Sequence, residues 1–194
     1  MGDAVVSQFS SSPWAAALIN DPKWTLTSTA SRLPKPSGED SFIAETLATN
    51  RTVRALLTLR PTKEDDDDFP YKEVVTILDL GDGLDGHSRI AHGGFVATML
   101  DEVCGVLIIL NQEKKMQRLR DLGQLDANTR MSSFTAYLNT NYKRPVPTPG
   151  IVLCTAKFER QDGRKLYVRA TIEDGMGTVF TTGEAMFVEV KVKL

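Results

Sequence analysis

Three rhythms of hydrophobic and polar positions divide the chain. Residues 1–50 are mixed, without a sustained period. Ser10-Ser11-Ser12-Pro13 predicts a short helix over Trp14 to Ile19, opened by a proline in its first turn and stopped by Asp21-Pro22. Ser31 to Gly38 carries two prolines and reads as a loop, and Ser41 to Leu47 as a second short helix. This leader is expected to clasp the outside of the main domain, with Trp14 and Trp24 as anchors. From residue 53 the rhythm changes to strands: Val53 to Leu59, stopped by Pro61, and then Tyr71 to Leu80, alternating and rich in β-branched residues. The four consecutive aspartates between them read as a solvated hairpin loop, since nothing there fixes a metal geometry. Gly81 to Ser88 has three glycines and no period, hence a loop.

A third rhythm begins at Phe95. Up to Leu110 the residues are apolar on nearly every face, which predicts one long helix buried inside the protein. Asn111 to Arg130 turns polar and basic and is expected to be an inserted lid or excursion. Four strand-like segments follow: Met131 to Tyr142, Ile151 to Arg160, Lys165 to Glu173 and Thr178 to Val190. They are separated by a proline-rich break, Asp162-Gly163, and Asp174-Gly175-Met176-Gly177. Hairpin-linked strands make an antiparallel sheet, and a single buried helix must be wrapped by it. The expected class is α+β, a curved antiparallel sheet around one long central helix. The expected division is an N-terminal helical and loop extension over 1–50 and a main domain over 51–194.

Composition narrows this further. A chain of 194 residues, 41% hydrophobic and 25% charged, suits one globular domain with an extension. Lys plus Arg total 23 against 25 Asp plus Glu, so no global basic field for nucleic acid exists. No uninterrupted apolar run reaches roughly 18 residues, and no membrane span is expected. Cys104 and Cys154 both lie in apolar segments and read as reduced thiols. The first basic residue is Lys23, after Asp3, which argues against an N-terminal leader peptide. The expected compartment is the cytoplasm, with mitochondrial and peroxisomal locations left open.

The chemistry concentrates at His92-Gly93-Gly94 and Asp101. Glycines at the start of a buried helix let a ligand approach outward-pointing N–H groups, where the helix dipole favours negative charge developing on an oxygen. Asp101 sits in a helix whose other faces are apolar, with small Ala97, Thr98, Cys104 and Gly105 around it. A carboxylate there needs water, a partner or a task. His92 and Asp101 lie roughly 13.5 Å apart along the axis and cannot act on one carbonyl within one chain. Two copies packed antiparallel would bring Asp101 of one against Gly93 of the other, so a homodimer, or a dimer of dimers, is expected.

His92-Gly93-Gly94-Phe95-Val96-Ala97-Thr98-Met99-Leu100-Asp101 resembles the helix signature of hotdog-fold thioesterases of the PaaI and THEM type. Thr135 to Pro145 and Gly163-Arg164-Lys165 resemble mammalian thioesterase superfamily members 4 and 5 in particular. The likeness covers roughly residues 53–190 and implies a hotdog fold that hydrolyses acyl-coenzyme A thioesters without metal or redox cofactor. By that resemblance Asp101 is the general base or nucleophile, Gly93 the backbone donor to the carbonyl, His92 the residue shaping the turn, and Thr135 a hydroxyl that helps place water. Gly94, Asn141, Lys143 and Arg164 match substrate-binding positions, and a lysine and an arginine suit coenzyme A phosphates. Many relatives carry Asn about six residues before the histidine. Here that position is Gly86, flanked by Asp85 and His87, either of which could stand in for it. Two other functions stay open: a hotdog protein that binds acyl-CoA or an acyl carrier without turnover, and an enoyl-thioester hydratase. Asp101, Gly93 and Thr135 together favour the hydrolase, and the lack of a partner His on the Asp101 helix argues against the hydratase.

Overall fold

Each strand of the main sheet is placed by which of its faces finds a hydrophobic layer. The computed structural model describes residues 2–124 and 129–193. Its elements run α1 (Gly2–Phe9), α2 (Pro13–Asn20), β1 (Trp24–Thr27), a 3₁₀ turn (Ala30–Arg32), a π-type turn (Phe42–Thr46), β2 (Val53–Pro61), β3 (Glu73–Leu80), a 3₁₀ turn (Asp82–Leu84), β4 (Asp85–His87), β5 (Ile90–Ala91), α3 (Gly93–Asp121), β6 (Thr129–Tyr142), β7 (Gly150–Asp162), β8 (Lys165–Glu173) and β9 (Val179–Lys193). Seven strands form one antiparallel sheet in the order β1-β2-β3-β7-β8-β9-β6, and β4 and β5 make a separate small hairpin.

The sheet wraps α3. Val96, Leu100, Val103, Cys104 and Leu107 pack on Val74, Leu78, Val152, Val168 and Ala170 from the strands. Gly183 lets the helix settle close: a Cβ there would stand 3.1 Å from Leu100 Cδ1. By length and composition α3 could cross a membrane, yet it is the core of the sheet. Both cysteines are buried and free, and burial pushes both thiols up.

The outer face of the sheet is covered as well. Phe9 and Ala15, both fully buried, lie on Ala55, Leu57, Leu59, Val75, Ile77 and Leu153. That is why β3 is apolar on both faces: Val74 and Leu78 meet α3, and Val75 and Ile77 meet the leader. Gln8 donates to Asp79 at 2.8 Å, and Arg54 pairs with the same carboxylate. The Trp14 indole lies directly over Gly175, where φ is +73° and a Cβ would meet the ring at 2.3 Å. Trp24 is half-buried in the same outer cluster, and β1 pairs with β2 from Trp24↔Pro61 to Thr27↔Thr58. The leader is therefore more than a clasp. After β1 it passes to the helix side, where the Ala30–Arg32 and Phe42–Thr46 turns approach α3.

One expectation is corrected. Asn111 to Asp121 is not an inserted cover but the last three turns of α3. Asn111 and Gln112 are polar yet buried, because each meets a hydrogen-bond partner from outside the helix. Tyr71 N–H donates to Asn111 Oδ1 at 2.8 Å, and Gln112 Nε2 donates to Ser133 Oγ at 2.6 Å. Lys114 pairs with Glu64 at 2.6 Å and Arg118 donates to the Asp67 carbonyl, so the acidic loop tethers this end of the helix. Residues 125–128 of the expected lid lie outside the described residues.

Candidate active site

The first turn of α3 is shaped by its own cap. His92, in extended conformation at the N-cap, accepts the Gly94 N–H on Nδ1 at 3.0 Å. The neutral ring then carries its proton on Nε2. Gly94 is needed for this closeness, since a Cβ would stand 3.1 Å from Nδ1. Gly93 N–H is a first-turn donor that His92 does not engage, and the Gly93 carbonyl accepts the Tyr142 hydroxyl at 2.8 Å. Tyr142 went unnoticed as a site residue, because an aromatic at a strand end looks like any other strand position.

Asp101 emerges two turns later, half-buried. Thr135, on the outermost strand β6, donates its hydroxyl to Asp101 Oδ1 at 2.8 Å. Asp101 and Thr135 line an open depression of about 410 Å³ with Phe42, Gly94, Ala97 and Leu138. Ala97 and Thr98 belong to it as expected, whereas Cys104 is turned into the core. Gly93, Tyr142 and Lys143 line a second depression of about 360 Å³ together with His87. Asp101 and Gly93 thus line different depressions of one chain, with Gly94 on the Asp101 side.

The remaining candidates separate. Asn141 is exposed at the end of β6, opposite Thr182, and Lys143 follows it. Arg164 sits on the β7–β8 turn, where its carbonyl accepts the Glu189 N–H at 2.8 Å. Tyr142 pairs with Thr181, eight residues back along β9 and about 26 Å away. Arg164 and Lys143 therefore do not meet within one chain. Of the two residues flanking Gly86, Asp85 is occupied by its turn: it accepts the Arg89 N–H at 3.0 Å and the Thr148 hydroxyl. Gly86 itself lies against His92, and a Cβ there would be 2.8 Å from His92 Cα. No group of three His, Cys, Asp or Glu side chains among the described residues is arranged to hold a metal.

Glu102 lies next to Asp101 and was not singled out in the sequence. Burial raises its carboxyl above 4.5, against the opposing effects of the Ser31 hydroxyl and the Arg32 guanidinium. Ser31 donates to it at 2.5 Å. A carboxyl raised on folding favours the protonated native state. Its stabilisation is complete below pH 4.5 and is lost as pH rises through the folded value. Thermal unfolding followed upward from pH 4.5 should show this loss in the parent and a flatter profile in Glu102→Gln. Parallel profiles would mean that Glu102 ionises in the native state as it does in water.

Residues 89–181 match the thioesterase superfamily. Acyl-coenzyme A thioesterase THEM4 of Mus musculus is 28% identical over 119 residues, covering 61% of this chain and 44% of that protein. Verlamelin biosynthesis protein B of a Lecanicillium species is 28% identical over 138 residues, 62% of this chain and 57% of that one. The chain thus spans about half the length of the curated relatives it matches. Among solved structures, a hypothetical thioesterase from Streptococcus pneumoniae TIGR4, crystallised with coenzyme A, superposes with a TM-score of 0.52 at 12% identity, over 71% of this chain and 91% of that one. A Mycobacterium tuberculosis protein solved as a candidate esterase gives 0.51 at 17% identity, over 63% and 87%. These likenesses and the sheet wrapped on α3 establish the hotdog fold.

Proposed function

Residues 89–181 belong to the thioesterase superfamily, and from that premise we propose that the chain hydrolyses acyl-CoA thioesters. The observation that carries the proposal is the Thr135–Asp101 hydrogen bond at 2.8 Å, which engages only Oδ1 of a carboxylate that lines the depression. Asp101 takes a proton from the attacking water, or attacks directly to give a mixed anhydride that water then cleaves to the free acid. The new C–O bond forms at the thioester carbonyl, negative charge gathers on its oxygen, and the C–S bond breaks as the coenzyme A thiolate leaves and is protonated. Gly93 N–H at the positive end of α3 holds that oxygen.

In this proposal the site is shared between two chains, with Asp101 of one facing Gly93 of the other. The exposed edge of β6 supports that arrangement. It is a 14-residue edge strand, and Phe134 and Tyr137 on it are 62% and 40% exposed. A long edge with exposed aromatics is a pairing surface. The active species should sediment as a dimer or a dimer of dimers at assay concentration. An active monomer would defeat the shared site.

Lys143 is the proposed contact to the coenzyme A phosphates. Lys143→Ala should raise KM for acyl-CoA about tenfold with kcat kept, the usual cost of a hydrogen bond to a charged group. Thioesters that lack the nucleotide should not respond. Equal losses on both substrates would assign Lys143 to folding. Arg164→Ala, tested in parallel, reports whether a second chain brings that side chain to the nucleotide. Release of free thiol from acyl-CoAs of graded length tests the activity itself, and no release from any of them would leave a binding protein.

A further inference from the structure

Behind the Asp101 depression, between α3 and the concave face of the sheet, lies an interior space of about 20 Å³. Leu47, Leu56, Phe95 and Met99 are among its apolar lining. The same lining includes the polar residues Arg32, Thr98 and Glu102, and Thr58 and Thr76, whose hydroxyls pair with each other at 3.1 Å. Ile43, Thr98 and Glu102 also line the open depression, so the two volumes share a wall. An acyl group held at Asp101 lies against that wall.

Arg32 and Glu102 leave hydrogen-bonding capacity unused at this space. The Arg32 Nε atom is buried and has no hydrogen-bond partner, while Nη1 donates to the Ile43 carbonyl at 3.2 Å. Buried N–H groups are nearly always satisfied, and one on a charged side chain is costly to leave unmade. Glu102 receives Ser31 on Oε1 at 2.5 Å. Arg32 and Glu102 both line the space and feel each other's charge, without a direct ion pair between them. A donor and an acceptor therefore border one small volume without satisfying each other.

We propose, on the footing of the acyl-thioester function above, that this space receives a hydroxyl group carried on the acyl chain. Arg32 Nε–H donates to the hydroxyl oxygen, and the hydroxyl donates a hydrogen bond to a Glu102 carboxyl oxygen. A methylene satisfies neither group. A keto oxygen accepts but cannot donate, and a second carboxylate sets negative charge against Glu102. The volume suits one water-sized group. The rest of the chain has the 410 Å³ depression. The proposed substrates are hydroxyacyl-CoA thioesters, and Arg32, from the leader, is the specificity residue.

The test pairs short- and medium-chain acyl-CoAs with versions bearing one hydroxyl along the chain. The best hydroxyacyl-CoA should exceed its unsubstituted counterpart in kcat/KM by about tenfold or more. Within Arg32→Met that ratio should fall to about one. A second measurement needs neither turnover nor a variant: a free hydroxy fatty acid should raise the Tm of the parent protein more than the plain acid does. Equal kcat/KM across all pairs overturns the proposal and leaves the thioesterase function standing, with a water in the space. A stronger preference for keto- or dicarboxylyl-CoA also overturns it. If no acyl-CoA is hydrolysed, the enzymatic function fails. A hydroxy-acid preference in Tm then still supports the site, and equal Tm shifts overturn both.

Discussion

Asp101→Asn should lower kcat for acyl-CoA hydrolysis about 100- to 10,000-fold, the range for losing an acid–base group. The substitution preserves size, and the amide oxygen can still accept the Thr135 hydroxyl that now reaches Oδ1 at 2.8 Å. What disappears is the second carboxylate oxygen, which in the proposed mechanism takes the proton from water or attacks the carbonyl. The amide nitrogen in its place does neither. Binding should survive, since Lys143 lies in the other depression. Thr135→Ala should cost less, about tenfold, because water can replace a positioning hydroxyl at an exposed strand. A dimeric Asp101→Asn protein turning over acyl-CoA at the parent rate would remove Asp101 from the chemistry and leave the proposed mechanism without its base.

The largest expected effect on stability is at Asn111. Its side chain accepts the Tyr71 N–H at 2.8 Å and donates to the Tyr71 carbonyl at 3.0 Å and to the Leu107 carbonyl at 2.7 Å. The residue is only 1% exposed, so no bulk water waits to take over. Asn111→Ala leaves both main-chain groups of Tyr71 unpaired in the interior, at about 1–3 kcal/mol each. A loss of about 3 kcal/mol in urea unfolding is expected, with the m-value unchanged. Asn111→Asp should not rescue it, because a carboxylate meets two carbonyl oxygens where the amide donated. A loss under about 1 kcal/mol would mean that this end of α3 is not docked on the start of β3, and the helix would then be free to act as the separate cover its polarity suggests.

The sheet strands from Val53 onward were legible because their determinants are local. Asp162-Gly163 and Asp174 to Gly177 mark turns by backbone preference, and alternation between them allows only a strand. Asp101 was legible for a related reason: a carboxylate in an all-apolar helix conflicts with its surroundings wherever the helix packs. His92 and the glycines declared a helix start by their chemistry.

What the tertiary structure decided depends on partners far away in the chain. Asn111 and Gln112 look like solvent positions until Tyr71, Ser133 and Glu189 arrive to satisfy them. That is why the sequence pattern ends the helix about three turns early. The strand β1 has four residues and no period of its own, and it exists because β2 offers it an edge. Asp101 and Thr135 are 34 residues apart, and Lys143 and Arg164 share a charge and an expected ligand. Yet the packing of β6 on α3 joins the first pair, and the register of β6 on β9 separates the second by about eight residues of strand. Arg32 sits in a proline-rich loop with nothing to distinguish it from a solvated cation. Only the folding of that loop against α3 buries its Nε beside Glu102. Turn preference and hydrophobic period act between neighbours in sequence and can be read there. The satisfaction of a buried polar group is settled between residues that only the folded chain brings together.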